Sequence, residues 1–154
     1  MSAALDRLEA LGLALPAPPT PRGSYRAWRR SGALLVTAGV LPMDGDRLLT
    51  GRVGDDLTVA EGALAARTAA LSLLAVLAQG AGELDRITQV VLLQGWVRSA
   101  PGFTAQPQVI DGASDLLVAV LGEAGRHARV ALGAAELPLG AVCELQATAE
   151  VADG

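Results

Sequence analysis

The chain has little of the chemistry that disulfides and metal sites need. Its 154 residues include one cysteine, Cys143, and one histidine, His127. A single cysteine excludes a disulfide within the chain and a cysteine cluster for a metal. A lone histidine without a cysteine at ligand spacing argues equally against zinc. We therefore expect no metal site.

Long apolar runs and excess positive charge are also missing. No uninterrupted run approaches the ~20 apolar residues that cross a bilayer. Asp6, Arg7 and Glu9 interrupt the N-terminal segment, which therefore lacks the apolar core of a signal peptide. The net charge of -4 and pI near 4.9 argue against a generic nucleic-acid binder, which presents a basic surface. These absences predict a cytoplasmic protein with neither membrane nor nucleic acid as partner.

Apolar residues are abundant instead. The chain is 51% hydrophobic and 18% charged, which is more apolar than an average soluble domain. A chain of this length forms one domain that buries roughly two thirds of its unfolded surface. Part of the surplus is alanine. The rest predicts faces buried between subunits, because obligate interfaces resemble a core cut in half.

The N-terminal residues predict a short helix and an extended arm. Leu5, Leu8 and Leu11 have helical spacing and Gly12 follows as a stop. The proline-rich residues 15–21 favour an extended, polyproline-like segment. We predict a docking helix and arm over residues 1–21 and a single domain over residues 22–154.

Strand and helix signals alternate in the rest of the chain. Alternation around a Ser31-Gly32 turn predicts two strands within residues 23–38. Thr58 and Glu61 fit a capping box that opens an alanine-rich helix ending near residue 79. The apolar run over residues 89–97 predicts a strand buried on both faces. Helical spacing over residues 109–120 predicts a second amphipathic helix.

The last fifth of the chain predicts a β-hairpin. Strand-compatible residues 126–133 and 142–147 flank the turn Leu137-Pro138-Leu139-Gly140. The order of elements predicts an α+β fold in which two helices pack on one face of a mixed β-sheet. Cys143 precedes Glu144 and so faces the opposite way in a regular strand, which predicts a buried core thiol.

Two charges, Arg129 and Glu144, lie inside these apolar strands. Such a charge is costly to bury unless it is paired or binds something. Arg129 is either a bidentate clamp for a carboxylate or half of a structural ion pair. The candidate partners for that pair are Glu136, Glu144 and Glu150. An even turn places Arg129 and Glu144 on one face, about 13 Å apart along the strand; an odd turn places them on opposite faces.

Several of these residues carry a family resemblance. Ala128-Arg129, the Leu137-Pro138 turn and Glu144 resemble the signature of the YjgF/Rid family, the reactive-intermediate deaminases, some of which were named L-PSP ribonucleases. The segments Gly23-Ser24-Tyr25 and Gly39-Val40-Leu41-Pro42 add to it. The resemblance implies a chorismate-mutase-like fold whose three copies form a barrel-like homotrimer, with sites between subunits.

The resemblance also implies roles for individual residues. Arg129 falls on the family's carboxylate-binding arginine, and Glu144 matches the glutamate that positions or activates the attacking water. Tyr25 matches a tyrosine that lines the pocket from a neighbouring chain; its ordinary alternative is a packing residue with a wet hydroxyl. Gly39 matches a glycine whose backbone approaches the ligand; its alternative is a plain strand-end glycine.

The chain departs from the family pattern at the pocket. Ala38-Gly39-Val40 stands where the family often has Ser-Gly-Gln, so a hydroxyl and an amide are missing. Asp111 replaces a family asparagine and Ala131 a family cysteine. Asp111 beside a substrate carboxylate would repel it unless it were protonated or turned away.

Two functions remain from these observations. The first is cofactor-free hydrolysis of a reactive 2-imino or enamine acid to the 2-oxo acid and ammonia, with Arg129 and Glu144 as catalytic residues and a small carboxylic acid as substrate. The alternative is a catalytically weak trimeric protein that binds small carboxylates. The negative net charge and the lack of a second histidine disfavour ribonuclease activity.

Overall fold

A computed structural model describes residues 2–153. Within these residues there are three helices: α1 (Ala3–Ala10), α2 (Val59–Ala81) and α3 (Gln106–Leu121). The seven strands are β1 (Trp28–Ser31), β2 (Leu34–Thr37), β3 (Met43–Asp44), β4 (Arg47–Leu48), β5 (Ile87–Arg98), β6 (Ala128–Ala134) and β7 (Cys143–Val151). Short 3-10 turns precede β5, follow α3 and lie between β6 and β7.

Five strands form one mixed sheet in the order β1-β2-β7-β5-β6, and β3 and β4 form a separate two-stranded ribbon. Strand β6 pairs with β5 in parallel, whereas the other neighbours in the large sheet are antiparallel. The predicted α+β fold with a mixed sheet and helices on one face is therefore confirmed.

The predicted hairpin of the last two strands is wrong. The long strand β5 lies between β6 and β7, so that Leu93 pairs with Arg129 on one side and Trp96 with Glu144 on the other. A parallel partner needs a crossover, and α3 supplies it between β5 and β6. The Pro138 segment forms a 3-10 turn that carries the chain past β5.

The core lies between the sheet and the helix pair α2 and α3. Residues on alternate positions of β7, from Cys143 to Val151, are buried against it. The two helices approach closely at Gly112, where an added Cβ would lie 2.0 Å from the Ala63 carbonyl oxygen. Glycine at that position therefore sets the helix spacing, because any side chain would meet backbone.

Helix α2 begins at the predicted capping box. Thr58 Oγ1 accepts from the Glu61 amide and Glu61 Oε1 accepts from the Thr58 amide, both at 3.1 Å. The helix is long and apolar enough to cross a membrane, although Glu61 and Arg67 interrupt its apolar run. More than half of the residues in its most apolar stretch, 56%, are buried inside the fold. Packing in the core accounts for that composition.

The N-terminal helix α1 packs against the same core. Ala4 and Leu8 are buried, and the Asp85 carboxylate accepts hydrogen bonds from the amides of Ala3 and Ala4. These hydrogen bonds lower the pKa of Asp85. The N-terminal segment is thus helical and contacts the core, and the division of the chain at residue 21 stays a prediction.

Candidate functional site

A small cavity surrounds Glu144 on the sheet face opposite the helices. Side chains alternate along β7, so that Cys143 and Leu145 enter the core and Glu144 and Gln146 point to the open face. Trp96 pairs with Glu144 from β5. Together with Gly39 and Leu137 these open-face residues line a cavity of about 270 Å³. A cavity of this order suits a small molecule.

Gly39 and Glu144 fit against each other. A Cβ added at Gly39 would lie 2.2 Å from Glu144 Oε1, so the carboxylate occupies the space that any larger residue would fill. The backbone on either side is fixed: the Ala38 amide donates to the Ala27 carbonyl, and Val40 exchanges two hydrogen bonds with Leu145. Ala38 is half-buried beside this contact.

The environment of Glu144 shifts its acidity. Partial burial raises the pKa of this carboxyl above its ordinary value, because burial disfavours the charged form. No ion pair to Glu144 is present within residues 2–153. A carboxylate of this kind is a better proton acceptor than a solvated one.

Arg129 lies on the other face of the sheet. It pairs with Leu93, whose side chain is fully buried beneath the helices, and its own side chain reaches α3. Arg129 Nη1 donates to Asp111 Oδ1 at 2.7 Å and to Ser114 Oγ at 3.1 Å. The partner of Arg129 is therefore Asp111 and none of the three glutamates considered from the sequence.

A hydrogen-bonded chain continues from Ser114 to the segment just before β6. Ser114 Oγ lies 2.9 Å from His127 Nε2, and His127 Nδ1 lies 2.7 Å from the Gly125 carbonyl oxygen. Burial, opposed by the Gly125 hydrogen bond and reinforced by Arg129, lowers the pKa of His127. The neutral form of His127 can make both hydrogen bonds: its Nδ1–H donates to the Gly125 carbonyl oxygen, and its Nε2 accepts from the Ser114 hydroxyl. The network fixes the orientation of Arg129.

Arg129 and Glu144 therefore do not meet within one protomer. The sheet itself separates them, as expected for the odd-turn alternative, although by a different topology. Ala131 lies two residues beyond Arg129 on β6 and shares its face by strand alternation. Asp111 is close to Arg129 but turned toward it as an ion-pair partner.

Tyr25 belongs to a different part of the surface. It is exposed in the loop before β1 and lines a wide groove of about 970 Å³ together with Arg26, Trp28 and Gln79. Its hydroxyl oxygen accepts from the Arg22 amide at 3.4 Å. The structure of one protomer does not bring Tyr25 to the Glu144 cavity.

Other residues near the cavity were not predicted from the sequence. Trp96, Leu137 and Gln146 line it, and Glu136 beside Leu137 pairs with Arg52 and Arg98. Alternation along β7 could have indicated Gln146. Trp96 and Arg52 gave no such signal, because their positions depend on strand register and on a loop.

The remaining reactive groups have structural roles. Cys143 is fully buried, as predicted, and burial raises its pKa to about 12, so its thiol stays protonated. Within residues 2–153, no three histidine, cysteine, aspartate or glutamate side chains are grouped so that they could hold a metal ion.

Fold and site together define an α+β protein of the chorismate-mutase-like type, with a small cavity on the open face of its sheet. A family model described as "YjgF/chorismate mutase-like, putative endoribonuclease" matches residues 5–151. The chain belongs to this family.

Individual relatives are similar over nearly the whole chain. Protein TCP17 of Trypanosoma cruzi is 44% identical over 146 residues, which cover 94% of this chain and 91% of the relative. The crystal structure of protein Atu1372 of Agrobacterium tumefaciens, of unknown function, is 41% identical with a TM-score of 0.89, covering 97% and 92% of the two chains. A structure described as a putative endoribonuclease of Shewanella oneidensis is 38% identical with a TM-score of 0.93, covering 97% and 100%.

Proposed function

We propose that this protein hydrolyses a small 2-imino or enamine acid to the 2-oxo acid and ammonia, without a cofactor. The observation that carries the proposal is the Glu144 carboxylate, half-buried against Gly39 in a cavity of about 270 Å³ with a raised pKa. That arrangement suits a base that positions and deprotonates one water molecule.

The chemistry needs only a positioned water and a proton relay. The imine carbon is electrophilic; water adds to it while Glu144 accepts one proton and passes it to the imine nitrogen, which gives a carbinolamine. Glu144 then accepts the proton of the carbinolamine hydroxyl and delivers it to the amine nitrogen, the C–N bond breaks, and ammonia leaves as the 2-oxo acid forms. One water is consumed for each imine, and the carboxylate is regenerated.

A neighbouring subunit would supply Arg129 to this cavity. Within a protomer the sheet separates the two residues, so Arg129 can act beside Glu144 only from a second chain. The open face supports such an assembly, because Leu34, Val36, Val130 and Leu132 project from it and are 37–51% exposed. We propose the homotrimer that the family resemblance implies, with Tyr25 reaching the site from a neighbouring chain.

One observation favours a second function. Asp111 neutralises Arg129 across a 2.7 Å ion pair, so a substrate carboxylate would compete with an aspartate already in place. A trimer with this arrangement would bind small carboxylates and turn over slowly. In both functions the ligand is a small acid. We propose neither a nucleic-acid nor a membrane partner, and the cytoplasmic location stays a prediction.

The test is imine hydrolysis by matched variants. 2-Iminopropanoate is generated in solution, and its decay is followed with wild type, Glu144→Gln and Glu150→Gln. Glu150 lies on the same strand and face as Glu144 and accepts from Thr88, which makes it a matched control. We expect Glu144→Gln to lower the acceleration about 100-fold or more and Glu150→Gln to leave it unchanged.

The pH profile provides a second readout. Glu144 must be ionised to accept a proton, so the rate should fall as the pH drops through its pKa, at a pH above the ordinary carboxyl value of 4.5. Wild-type decay no faster than buffer would favour the binding protein. An unchanged rate in Glu144→Gln would remove Glu144 from the mechanism.

A further inference from the structure

Two arginines converge on one carboxylate beside the Glu144 cavity. Arg52 Nη2 donates to Glu136 Oε1 at 2.6 Å, and Arg98 donates to Glu136 Oε2 through Nη2 at 3.1 Å and Nε at 3.3 Å. Each carboxylate oxygen thus has its own guanidinium. The three side chains together carry one excess positive charge.

The two arginines of this cluster are more buried than the glutamate between them. The side chains of Arg52 and Arg98 are 20% and 21% exposed, whereas that of Glu136 is 69% exposed. Arg52 is also fixed by the carbonyl oxygens of Ser99 and Ala135. Ion pairs with an exposed partner are weak and salt-screened. The donors are therefore preorganised, and the carboxylate between them is replaceable.

The cluster adjoins the cavity. Arg98 follows Trp96 by two residues on β5, so both point to the open face about 7 Å apart. Glu136 immediately precedes Leu137, which lines the cavity together with Trp96 and Glu144. A ligand in the cavity therefore lies within a side chain's length of the arginines, and their excess charge offsets the negative Glu144.

We propose that Arg52 and Arg98 form a carboxylate-binding site at the rim of the Glu144 cavity, in which Glu136 holds the place of the ligand's carboxylate until a small acid displaces it. This inference rests on the proposed function, because it assigns that cavity a carboxylate clamp from the same protomer. Arg129 then need not leave Asp111. Glu136 lowers the apparent affinity by occupying the site in the free protein.

The experiment is a calorimetric titration with pyruvate, a product-like acid that does not react. Removal of the internal competitor in Glu136→Gln should tighten pyruvate binding about tenfold, as expected if Glu136 occupies the site about 90% of the time. Adding Arg98→Gln to that variant should weaken binding at least tenfold. Glu123→Gln is the matched control, because Glu123 is an exposed glutamate paired with Arg126 away from the cavity.

Other outcomes overturn the inference. The inference is wrong if Glu136→Gln leaves the affinity for pyruvate unchanged, or if adding Arg98→Gln to that variant leaves it unchanged. It is also wrong if no variant binds pyruvate. Loss of pyruvate binding in Arg129→Gln alone would assign the clamp to Arg129. Thermal melts and Arg98→Lys, which keeps the charge, separate a folding defect from a lost contact. Tighter binding in Glu136→Gln without imine hydrolysis would leave this site standing and remove the proposed activity.

Discussion

At the scale of single residues, the contact between Gly39 and Glu144 determines what the cavity can hold. Gly39 does not have a positive φ, so its lack of a side chain serves the neighbouring carboxylate and not the backbone. A substitution at Gly39 can therefore distinguish the two explanations of this residue: a plain strand-end glycine, or a glycine that the site requires.

Gly39→Ala is expected to lower imine hydrolysis at least tenfold with little loss of stability. The new methyl group would overlap Glu144 Oε1, and the flexible glutamate would move out of position while the fold remains. Hydrolysis rates and thermal midpoints measure the two effects. The double variant Gly39→Ala/Glu144→Gln should be no slower than Glu144→Gln alone, because both act through one carboxylate. Additive losses would contradict this explanation.

Local sequence pattern predicted some of the site at this scale and missed the rest. Alternation in β7 placed Cys143 in the core and Glu144 on the opposite face, as observed. The same rule could not relate Arg129 to Glu144, because the relative faces of two strands depend on the strand between them. Asp111 was singled out by resemblance, but its ion pair with Arg129 depends on how α3 packs on β6.

At the scale of elements, β5 organises the sheet. Its apolar run predicted a strand buried on both faces. That prediction is wrong for the single protomer, because residues of one face of β5 enter the core while those of the other face, such as Trp96, lie on the open face of the sheet. The hairpin prediction failed because strands adjacent in sequence were assumed to pair. Strand β5 offers two long edges, and β6 and β7 each pair with one of them.

The capping box of α2 gives the element-scale prediction. Thr58→Ala removes the hydroxyl that accepts from the Glu61 amide, and we expect it to lower the free energy of unfolding by about 1 kcal/mol. The thermal midpoint should fall by about 2–4 °C for a chain of this size. Thr104→Ala serves as control, because Thr104 is exposed in the loop before α3 and is not the residue that caps that helix. Equal midpoints for the two variants would show that the cap contributes nothing.

At the scale of the whole molecule, the open sheet face is the unusual feature. A polar strip from β7, including Glu144 and Gln146, runs between exposed apolar residues of β2 and β6. The apolar flanks explain part of the surplus of hydrophobic residues, and they support the proposed assembly.

Leu132→Glu is expected to dissociate the proposed homotrimer. Leu132 is 51% exposed on the open face of β6, and a charge there would have to be buried in an interface. Light scattering should give three times the 15.6 kDa chain mass for wild type and the single mass for the variant. Leu64→Glu is the matched control, because Leu64 is 65% exposed on α2, away from this face. A monomeric wild type would contradict the proposed assembly.

The sequence by itself determined the elements: the capped helix α2, the long strand β5, the amphipathic α3 and the alternation that turns Glu144 out of the core. These features follow from contacts between residues close in the chain, which local pattern encodes. Only the tertiary structure decided that β5 separates β6 from β7, that Arg129 pairs with Asp111, and that Arg52, Arg98 and Glu136 meet beside the cavity. Those contacts join residues far apart in the chain, and their geometry depends on strand register and helix packing.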